Sequence, residues 1–188
     1  MKHYARLLFA LAFLFGMAQA KEFVIDNAHT TVGFNVTHMM ISNVSGKFTT
    51  YSGDIEFDPA TKQFSKLTAK IEASSITTGV EKRDDHLKSA DFFDVTKYKT
   101  IDFVMSSMKD GKVYGKLSIH GISKDVVLNV KIHGIIKDFQ GAQRIGFSLE
   151  GVINRKDYGL KWNKILEGGG LTVADDVNLV INIEAIEL

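Results

Sequence analysis

The chain has 188 residues with 23 basic and 22 acidic side chains, one tryptophan and no cysteine. A net charge of +1 with both signs interspersed gives no reason to expect a nucleic-acid ligand. The lack of cysteine excludes thiol chemistry and cysteine-ligated metals, and one domain of this length can bury a sufficient core without disulfides.

The first 20 residues predict a signal peptide. Lys2 and Arg6 give a positive start, residues 7–17 are almost entirely apolar, and Ala18-Gln19-Ala20 is the small-x-small pattern that signal peptidase cleaves. The apolar run is about half of the roughly 20 residues that span a bilayer, which favours cleavage over an uncleaved anchor. We therefore predict a periplasmic protein, residues 21–188, with no membrane-spanning segment after cleavage.

The first half of the predicted mature chain has apolar residues at every second position, which indicates half-buried β-strands. Residues 29–38 form the first clear strand. In residues 44–58 the apolar positions change from even to odd, so we predict a bulge near residues 49–53. Asp58-Pro59-Ala60-Thr61 has turn chemistry, and residues 67–73 restart the alternation.

One helix interrupts the strands. Thr78-Gly79-Val80-Glu81 has the spacing of a capping box, in which the Thr hydroxyl and the Glu carboxylate each satisfy a free backbone amide at a helix start. We predict a helix of two to three turns that ends near Ser89.

The second half of the chain predicts five more strands. They are centred on residues 101–105, 113–119, 126–132, 145–153 and 177–183, with tight links at Lys109-Asp110-Gly111 and Gly121-Ile122-Ser123. A long antiparallel sheet tends to close on itself. We therefore predict an all-β fold, a single eight-stranded antiparallel barrel with one short α-helix, which is wide enough to fill itself or to hold one small ligand.

The predicted inward face carries side chains of two sizes. The large ones include Phe34, Phe48, Phe103, Met105 and Phe147, and the small ones are Ala69, Ala73, Gly115, Gly121, Gly134, Gly151 and Ala185. Because protein interiors are packed to a density of about 0.75, small inward residues leave volume for a guest. Alternatively, the glycines mark bends that Phe and Met side chains cover.

Residues 156–171 have no strand pattern. A loop of this length in a compact barrel favours a lid or a binding element. It contains Trp162 and ends in Gly168-Gly169-Gly170, which can turn tightly or move. Trp162 is interpreted either as part of a lid or as a plug of one barrel end.

Several blocks of sequence, in this order, resemble one known family. The blocks are Asp26-Asn27-Ala28-His29-Thr30 with Val32-Gly33-Phe34 and His38, Gly46-Lys47-Phe48 with Gly53, Arg83-Asp84-Asp85-His86-Leu87 with Asp91-Phe92-Phe93-Asp94, His120-Gly121-Ile122-Ser123-Lys124, and Asn154-Arg155-Lys156-Asp157-Tyr158-Gly159-Leu160-Lys161-Trp162-Asn163. Over essentially the whole mature chain they resemble the YceI-like family of exported polyisoprenoid-binding proteins. Two departures from the family pattern are Lys99, where proline is common, and the methionine-rich Met39-Met40-Ile41.

The resemblance implies a lipocalin-like barrel that carries or stores a long amphiphile. The implied ligand is an isoprenoid quinone or its precursor, a polyprenyl lipid, or a fatty acid or its amide. It also implies a homodimer as one form of assembly. We predict no cofactor other than this bound lipid, and no enzymatic activity.

We predict sixteen ligand-binding residues in three groups. The wall comprises Phe34, Val36, Phe48, Phe103, Met105, Leu128, Phe147 and Leu149; the mouth comprises Met39, Met40, Phe92, Phe93 and Trp162; and His38, Arg83 and Asn163 lie near the polar head group.

An alternative function is a metal-dependent enzyme or metallochaperone that uses His29, His38 and His86. Asp84 and Asp85 beside them have a structural interpretation, because carboxylates in the first turns of a helix complement its dipole. The sequence has no His-x-x-x-His pair and no Gly-x-Ser-x-Gly elbow. We therefore predict no metal site and no catalytic residues.

Overall fold

The computed structural model describes residues 20–167 and 169–188, so nearly all of the predicted signal peptide lies outside the described residues. The strands are β1 (Lys21–Ile25), β2 (Thr31–His38), β3 (Ser42–Phe48), β4 (Tyr51–Ser52), β5 (Ile55–Asp58), β6 (Gln63–Glu72), β7 (Ile76–Thr77), β8 (Thr100–Lys109), β9 (Lys112–Ile119), β10 (Ile122–Lys137), β11 (Gln143–Asn154) and β12 (Val173–Glu187). The helix α1 (Glu81–Lys88) follows β7. None of the helices in these described ranges is long and apolar enough to cross a membrane.

The strands close into an antiparallel barrel. The order β1-β5-β6-β8-β9-β10-β11-β12 returns to β1 through the β1–β12 pairing. β12 is long enough to pair with β1 near its C-terminus and with β2 along the rest of its length, and β2 continues the wall through β3 to β7. Several wall strands are broken into collinear segments, so the twelve strands make up eight wall strands. This arrangement confirms the predicted eight-stranded all-β barrel with one helix.

The predicted bulge between β3 and β5 is a complete break in the strand. β3 ends at Phe48, and only the two-residue β4 lies before β5. The Ser75 hydroxyl accepts hydrogen bonds from the backbone amides of Thr49 (3.2 Å) and Thr50 (3.1 Å), which replace the missing ladder bonds. At Gly53 a Cβ atom would overlap the carbonyl oxygen of Thr68, so this close approach requires glycine.

The start of α1 differs from the predicted capping box. The N-cap is Val80, which has no side-chain capping bond. The Thr78 hydroxyl instead donates to the buried carboxylate of Asp84, which also accepts from the Thr77 hydroxyl (2.9 Å) and from the Thr78 amide (2.7 Å). Burial raises the pKa of Asp84, but these bonds outweigh it and hold the pKa below its usual value.

The two tight hairpin links have positive φ at both turn residues. Asp110 and Gly111 (φ 51° and 71°) join β8 to β9, and His120 and Gly121 (φ 52° and 75°) join β9 to β10. These values are typical of two-residue type I′ turns. The second link therefore lies one residue earlier than predicted.

One end of the barrel is filled by aromatic rings. The ring centroids of Phe23 and Phe57 are 6.2 Å apart, those of Phe57 and Phe64 4.9 Å, and those of Phe64 and Phe147 4.8 Å. All four side chains are buried. We call this group the aromatic plug; the space described below lies on the other side of it.

Candidate functional site

Three chambers follow one another along the barrel interior, from the open end toward the aromatic plug. The mouth chamber has a volume of about 440 Å³, the inner chamber about 140 Å³ and the deep chamber about 70 Å³. The side chains shared by the mouth and inner chambers are Phe34, Val36, Leu87, Phe92 and Val173. Those shared by the inner and deep chambers are Val32, Ile71, Leu117, Leu179 and Ile181. The chambers therefore form one path with two constrictions.

The walls of this path are almost entirely apolar. β12 contributes Val177, Leu179 and Ile181, because alternate residues of a strand point to the same face. The inner chamber is comparable in size to apolar cavities of about 150 Å³ that stay dry and accept a benzene-sized guest. A long guest therefore requires the side chains at the constrictions to move.

An aromatic group borders the mouth chamber. The ring of His86 lies edge-on to Trp162 (4.8 Å between centroids) and to Phe92 (5.1 Å), and Phe92 and Trp162 are 5.2 Å apart. The Nε2 atom of His86 lies 2.9 Å from a carboxylate oxygen of Asp91, which orients the imidazole. Trp162 therefore borders one side of the mouth.

The buried Arg155 holds the loop before β12 in place. Its guanidinium donates to the backbone carbonyls of Leu160, Trp162 (2.9 Å), Val173 (3.3 Å) and Ala174 (2.9 Å). Burial lowers the pKa of Arg155. The sequence does not predict this role of Arg155, because its partners become neighbours only in the folded loop.

Asn163 supports the same loop. Its side-chain amide donates to the Val173 carbonyl (2.7 Å), and the Val173 amide donates back to the Asn163 side-chain oxygen (3.1 Å). The residue predicted to contact a head group thus has both polar atoms engaged with the backbone.

Eleven of the sixteen predicted ligand-binding residues line a chamber. They are Phe34, Val36, His38, Phe48, Arg83, Phe92, Phe93, Phe103, Leu128, Leu149 and Trp162. The mouth chamber contains His38, Arg83 and Trp162, whereas Phe103, Leu128 and Leu149 line the deep chamber.

The structure places the other five predicted residues away from the chamber linings. Phe147 belongs to the aromatic plug, and Met105 packs against the core without facing a chamber. Met39 and Met40 lie on the exposed turn between β2 and β3, and Asn163 holds the backbone. Alternation predicted correctly that Phe147 and Met105 point inward, but it gives no information on their height in the barrel.

Sequence reasoning missed many of the lining residues. Apart from Gly33, those on strands share the parity of the predicted wall: Val32, Ile71, Ile101, Leu117, Ile119, Ile153, Val173, Val177, Leu179 and Ile181. Leu87, Tyr158 and Leu160 come from non-strand segments, where no alternation could identify them. Burial raises the pKa of Tyr158 to about 12.

The inward glycines do not create the cavity. A Cβ atom at Gly115 would overlap the Phe103 ring, and one at Gly151 would overlap Leu128. Gly134 is exposed and has no neighbour within 4 Å of a Cβ position. Large side chains therefore cover the small ones, which was the alternative interpretation.

The three histidines of the metal hypothesis do not lie together. His38 and His86 line the mouth chamber, whereas His29 lies at the other end of β2, about 25 Å away at the rise of a strand. In residues 20–167 and 169–188, one group has at least three ligand atoms within 4.8 Å of one another, namely Asp26, His29 and Glu184. Arg144 already donates to Asp26 (2.9 Å) and Glu184 (2.7 Å).

The charged side chains of this group are already hydrogen-bonded to one another or to Arg144. The bond from His29 and the bond from Arg144 lower the pKa of Asp26 to about 2, and the bond to Asp26 raises the pKa of His29. A metal ion would have to displace the Arg144 guanidinium. The group is thus an ion-pair network between β11, β12 and the β1–β2 turn.

Comparison with known proteins identifies the family. Residues 23–185 match the YceI-like domain. The chain belongs to the YceI-like family. A UPF0312 protein of Staphylococcus aureus strain MSSA476 is 38% identical over 164 residues, which is 87% of this chain and 96% of that protein.

Solved structures are similar to this YceI-like chain over most of its length. The YCEI protein of Campylobacter jejuni is 42% identical, with a TM-score of 0.73 over 87% of this chain and 96% of the other. A polyisoprenoid binding domain from Saccharophagus degradans is 16% identical, with a TM-score of 0.63 over 90% and 100% of the two chains, and shows similarity of fold alone.

Proposed function

We propose that this YceI-like protein binds one long amphiphilic lipid inside its barrel. The observation that carries the proposal is the line of three apolar chambers that begins at an open mouth and ends at the aromatic plug. The apolar chain of the lipid would occupy the inner and deep chambers. Its polar end would remain at the mouth, where His38, Lys82, Arg83 and His86 border the space.

The ligand class follows from the chemistry of the walls. Each buried CH₂ group contributes about 0.8 kcal/mol, so a long chain binds tightly with few polar contacts. Such a site discriminates by chain length and width more than by head group. An isoprenoid quinone or its precursor, a polyprenyl lipid and a fatty acid or its amide all fit this requirement.

We infer a binding function rather than an enzymatic one, in transport or storage. Family membership supports a binding role. The hydrogen bonds of His29 to Asp26 and of His86 to Asp91 support it as well, because they already occupy these side chains. The predicted signal peptide supports export to the periplasm, where a carrier for a water-insoluble lipid would act.

Native mass spectrometry of detergent-free protein from the exported fraction, followed by organic extraction, tests this function. We expect one isoprenoid or acyl lipid per barrel. A charged residue at buried Phe103 would place an unpaired charge in the core and unfold the protein, so a cavity-filling substitution is more informative.

Val36→Phe fills the constriction between mouth and inner chamber with apolar atoms and should prevent lipid retention. Val152→Phe is the matched control, because Val152 is 60% exposed on the outside of β11. Equal lipid occupancy in the two variants, or wild-type protein that stays empty after incubation with each candidate lipid class, would contradict the proposal.

A further inference from the structure

Four exposed apolar side chains lie on two turns beside the mouth chamber. On the β2–β3 turn, Met39 is 41%, Met40 70% and Ile41 85% exposed. On the loop before β12, Ile165 is 83% exposed. We call these four residues the mouth edge; the neighbouring His38 lines the mouth chamber itself.

The two turns of the mouth edge are in contact. The Met39 amide donates to the Thr172 carbonyl (2.8 Å), and the Met40 thioether lies so close to Gly170 that a Cβ atom there would overlap it. Ile165 forms an isolated bridge with Leu171 in the same loop. The mouth edge is therefore one continuous apolar border rather than two unrelated tips.

Folding does not account for methionine at these turn positions. Met39 (φ 49°) and Met40 (φ 62°) both have left-handed backbone conformations, which favour Asn and Gly over other residues. Their side chains are also largely in water, so they add little to the core. A local arrangement that is unfavourable to folding indicates a role outside the fold.

We propose that the mouth edge inserts into the surface of a phospholipid bilayer, so that cargo passes between membrane and barrel without crossing water. The inference rests on the proposed function, because it places the source of the lipid at the mouth. Flexible methionine side chains adapt to a fluid apolar surface. A bilayer both covers these side chains and supplies a lipid chain, whereas a protein seated there would cover the mouth.

The charges around the mouth edge predict the kind of attachment. Lys82, Lys161 and Lys164 are exposed and can extend toward lipid head groups, but Glu81 and Glu167 are exposed in the same region. The three lysines and two glutamates leave a net charge of only +1. Insertion should therefore depend on the apolar side chains and persist at high salt.

The test measures co-flotation of residues 21–188 with vesicles of phosphatidylethanolamine and phosphatidylglycerol, at low and high salt. All strands that close the barrel lie in these residues, and the Campylobacter jejuni YCEI protein, which crystallises, aligns with this chain over 96% of its own length. The variant Met39→Asn with Met40→Gly introduces the preferred turn sequence, so the fold is kept. We expect about tenfold weaker vesicle binding from the lost apolar contacts.

The control is Phe139→Ser. Phe139 is fully exposed on the β10–β11 turn, at the end of the barrel that holds the aromatic plug. Vesicle binding should be unchanged in this variant. Equal binding by wild type and the Asn-Gly variant would overturn the proposal, as would an equal loss in the Phe139 variant.

Two further measurements separate the outcomes. If sedimentation velocity shows that the Asn-Gly change disrupts a dimer while vesicle binding is unchanged, the mouth edge is an interface between copies and the proposal fails. Binding of cis-parinaric acid in solution should be equal in wild type and the Asn-Gly variant. Vesicle binding without fatty-acid or prenyl-lipid binding would refute the proposed function and the passage of cargo, and would leave only the insertion of the mouth edge into the bilayer.

Discussion

The ring of Phe34 lies against Gly46 across the β2–β3 pair, at the constriction between the mouth and inner chambers. The two residues are register partners, and a Cβ atom on Gly46 would overlap three atoms of the ring. Phe34 lines both chambers, and its ring centroid lies 6.1 Å from that of Phe48. The missing side chain of Gly46 thus determines how far the Phe34 ring can lie back against the wall.

Gly46→Ala should therefore narrow the path to the inner chamber. The methyl group forces the Phe34 ring away from β3, and overpacking of this kind costs about 1–3 kcal/mol. We expect a lower free energy of unfolding in urea and reduced lipid occupancy by native mass spectrometry. Gly134→Ala is the control, because a Cβ atom there meets nothing within 4 Å. Indistinguishable lipid occupancy in the two variants would argue against Phe34 as the constriction.

Alternation along the chain was sufficient to predict the barrel but not the arrangement of its interior. The parity of Phe34 and Phe147 correctly predicted that both face inward. Parity carries no information about position along the barrel axis, and so Phe34 lines two chambers whereas Phe147 lies in the aromatic plug. The contact between Phe34 and Gly46 depends on strand register, which a single strand does not reveal.

The loop that borders the mouth was less predictable because its contacts are long-range. Trp162 was expected at the mouth or in a plug, and it lines the mouth chamber. The residues that fix the loop, Arg155 and Asn163, act on backbone carbonyls that become neighbours only in the folded loop. A side chain that binds backbone leaves no residue pattern in the sequence.

Replacement of Arg155 by Lys should loosen this loop. An ammonium group cannot replace the planar fork that reaches four carbonyls, so buried acceptors lose their donors. We expect a loss of about 2–4 kcal/mol in the free energy of unfolding, since each unsatisfied buried group costs about 1–3 kcal/mol. The emission of Trp162, the single tryptophan, should move to longer wavelength as the loop opens.

Lys156→Met is the matched control for the Arg155 variant. Lys156 is adjacent and pairs with Asp175 (2.8 Å), a carboxylate that also lies 3.5 Å from the Arg155 guanidinium, but the Lys156 side chain is 41% exposed. Exposed ion pairs contribute about 0–1 kcal/mol. If Arg155→Lys proves no more destabilising than Lys156→Met, Arg155 is not the residue that holds the loop before β12 in place.

Acid should weaken the network around Asp26. Hydrogen bonds from His29 and Arg144 hold the pKa of Asp26 at about 2, below its ordinary value of 3.8. A carboxyl whose pKa is lower in the folded state stabilises the fold above pH 3.8, and this stabilisation is lost as the pH falls toward 2. In urea titrations, Asp26→Asn should show a smaller loss of stability than wild type over this range. If stability falls with pH in parallel in the two proteins, Asp26 does not contribute to the acid sensitivity of the fold.

Alkali should act through Tyr158, which lines the inner chamber. Burial raises the pKa of this phenol from 10 to about 12, because the chamber wall solvates the phenolate poorly. A group whose pKa is raised by folding gives its full stabilisation below pH 10 and loses it as the pH approaches 12. Urea titrations across this range should show a steeper loss of stability in wild type than in Tyr158→Phe, which cannot ionise. Equal slopes would show that Tyr158 ionises as readily in the folded barrel as in the unfolded chain.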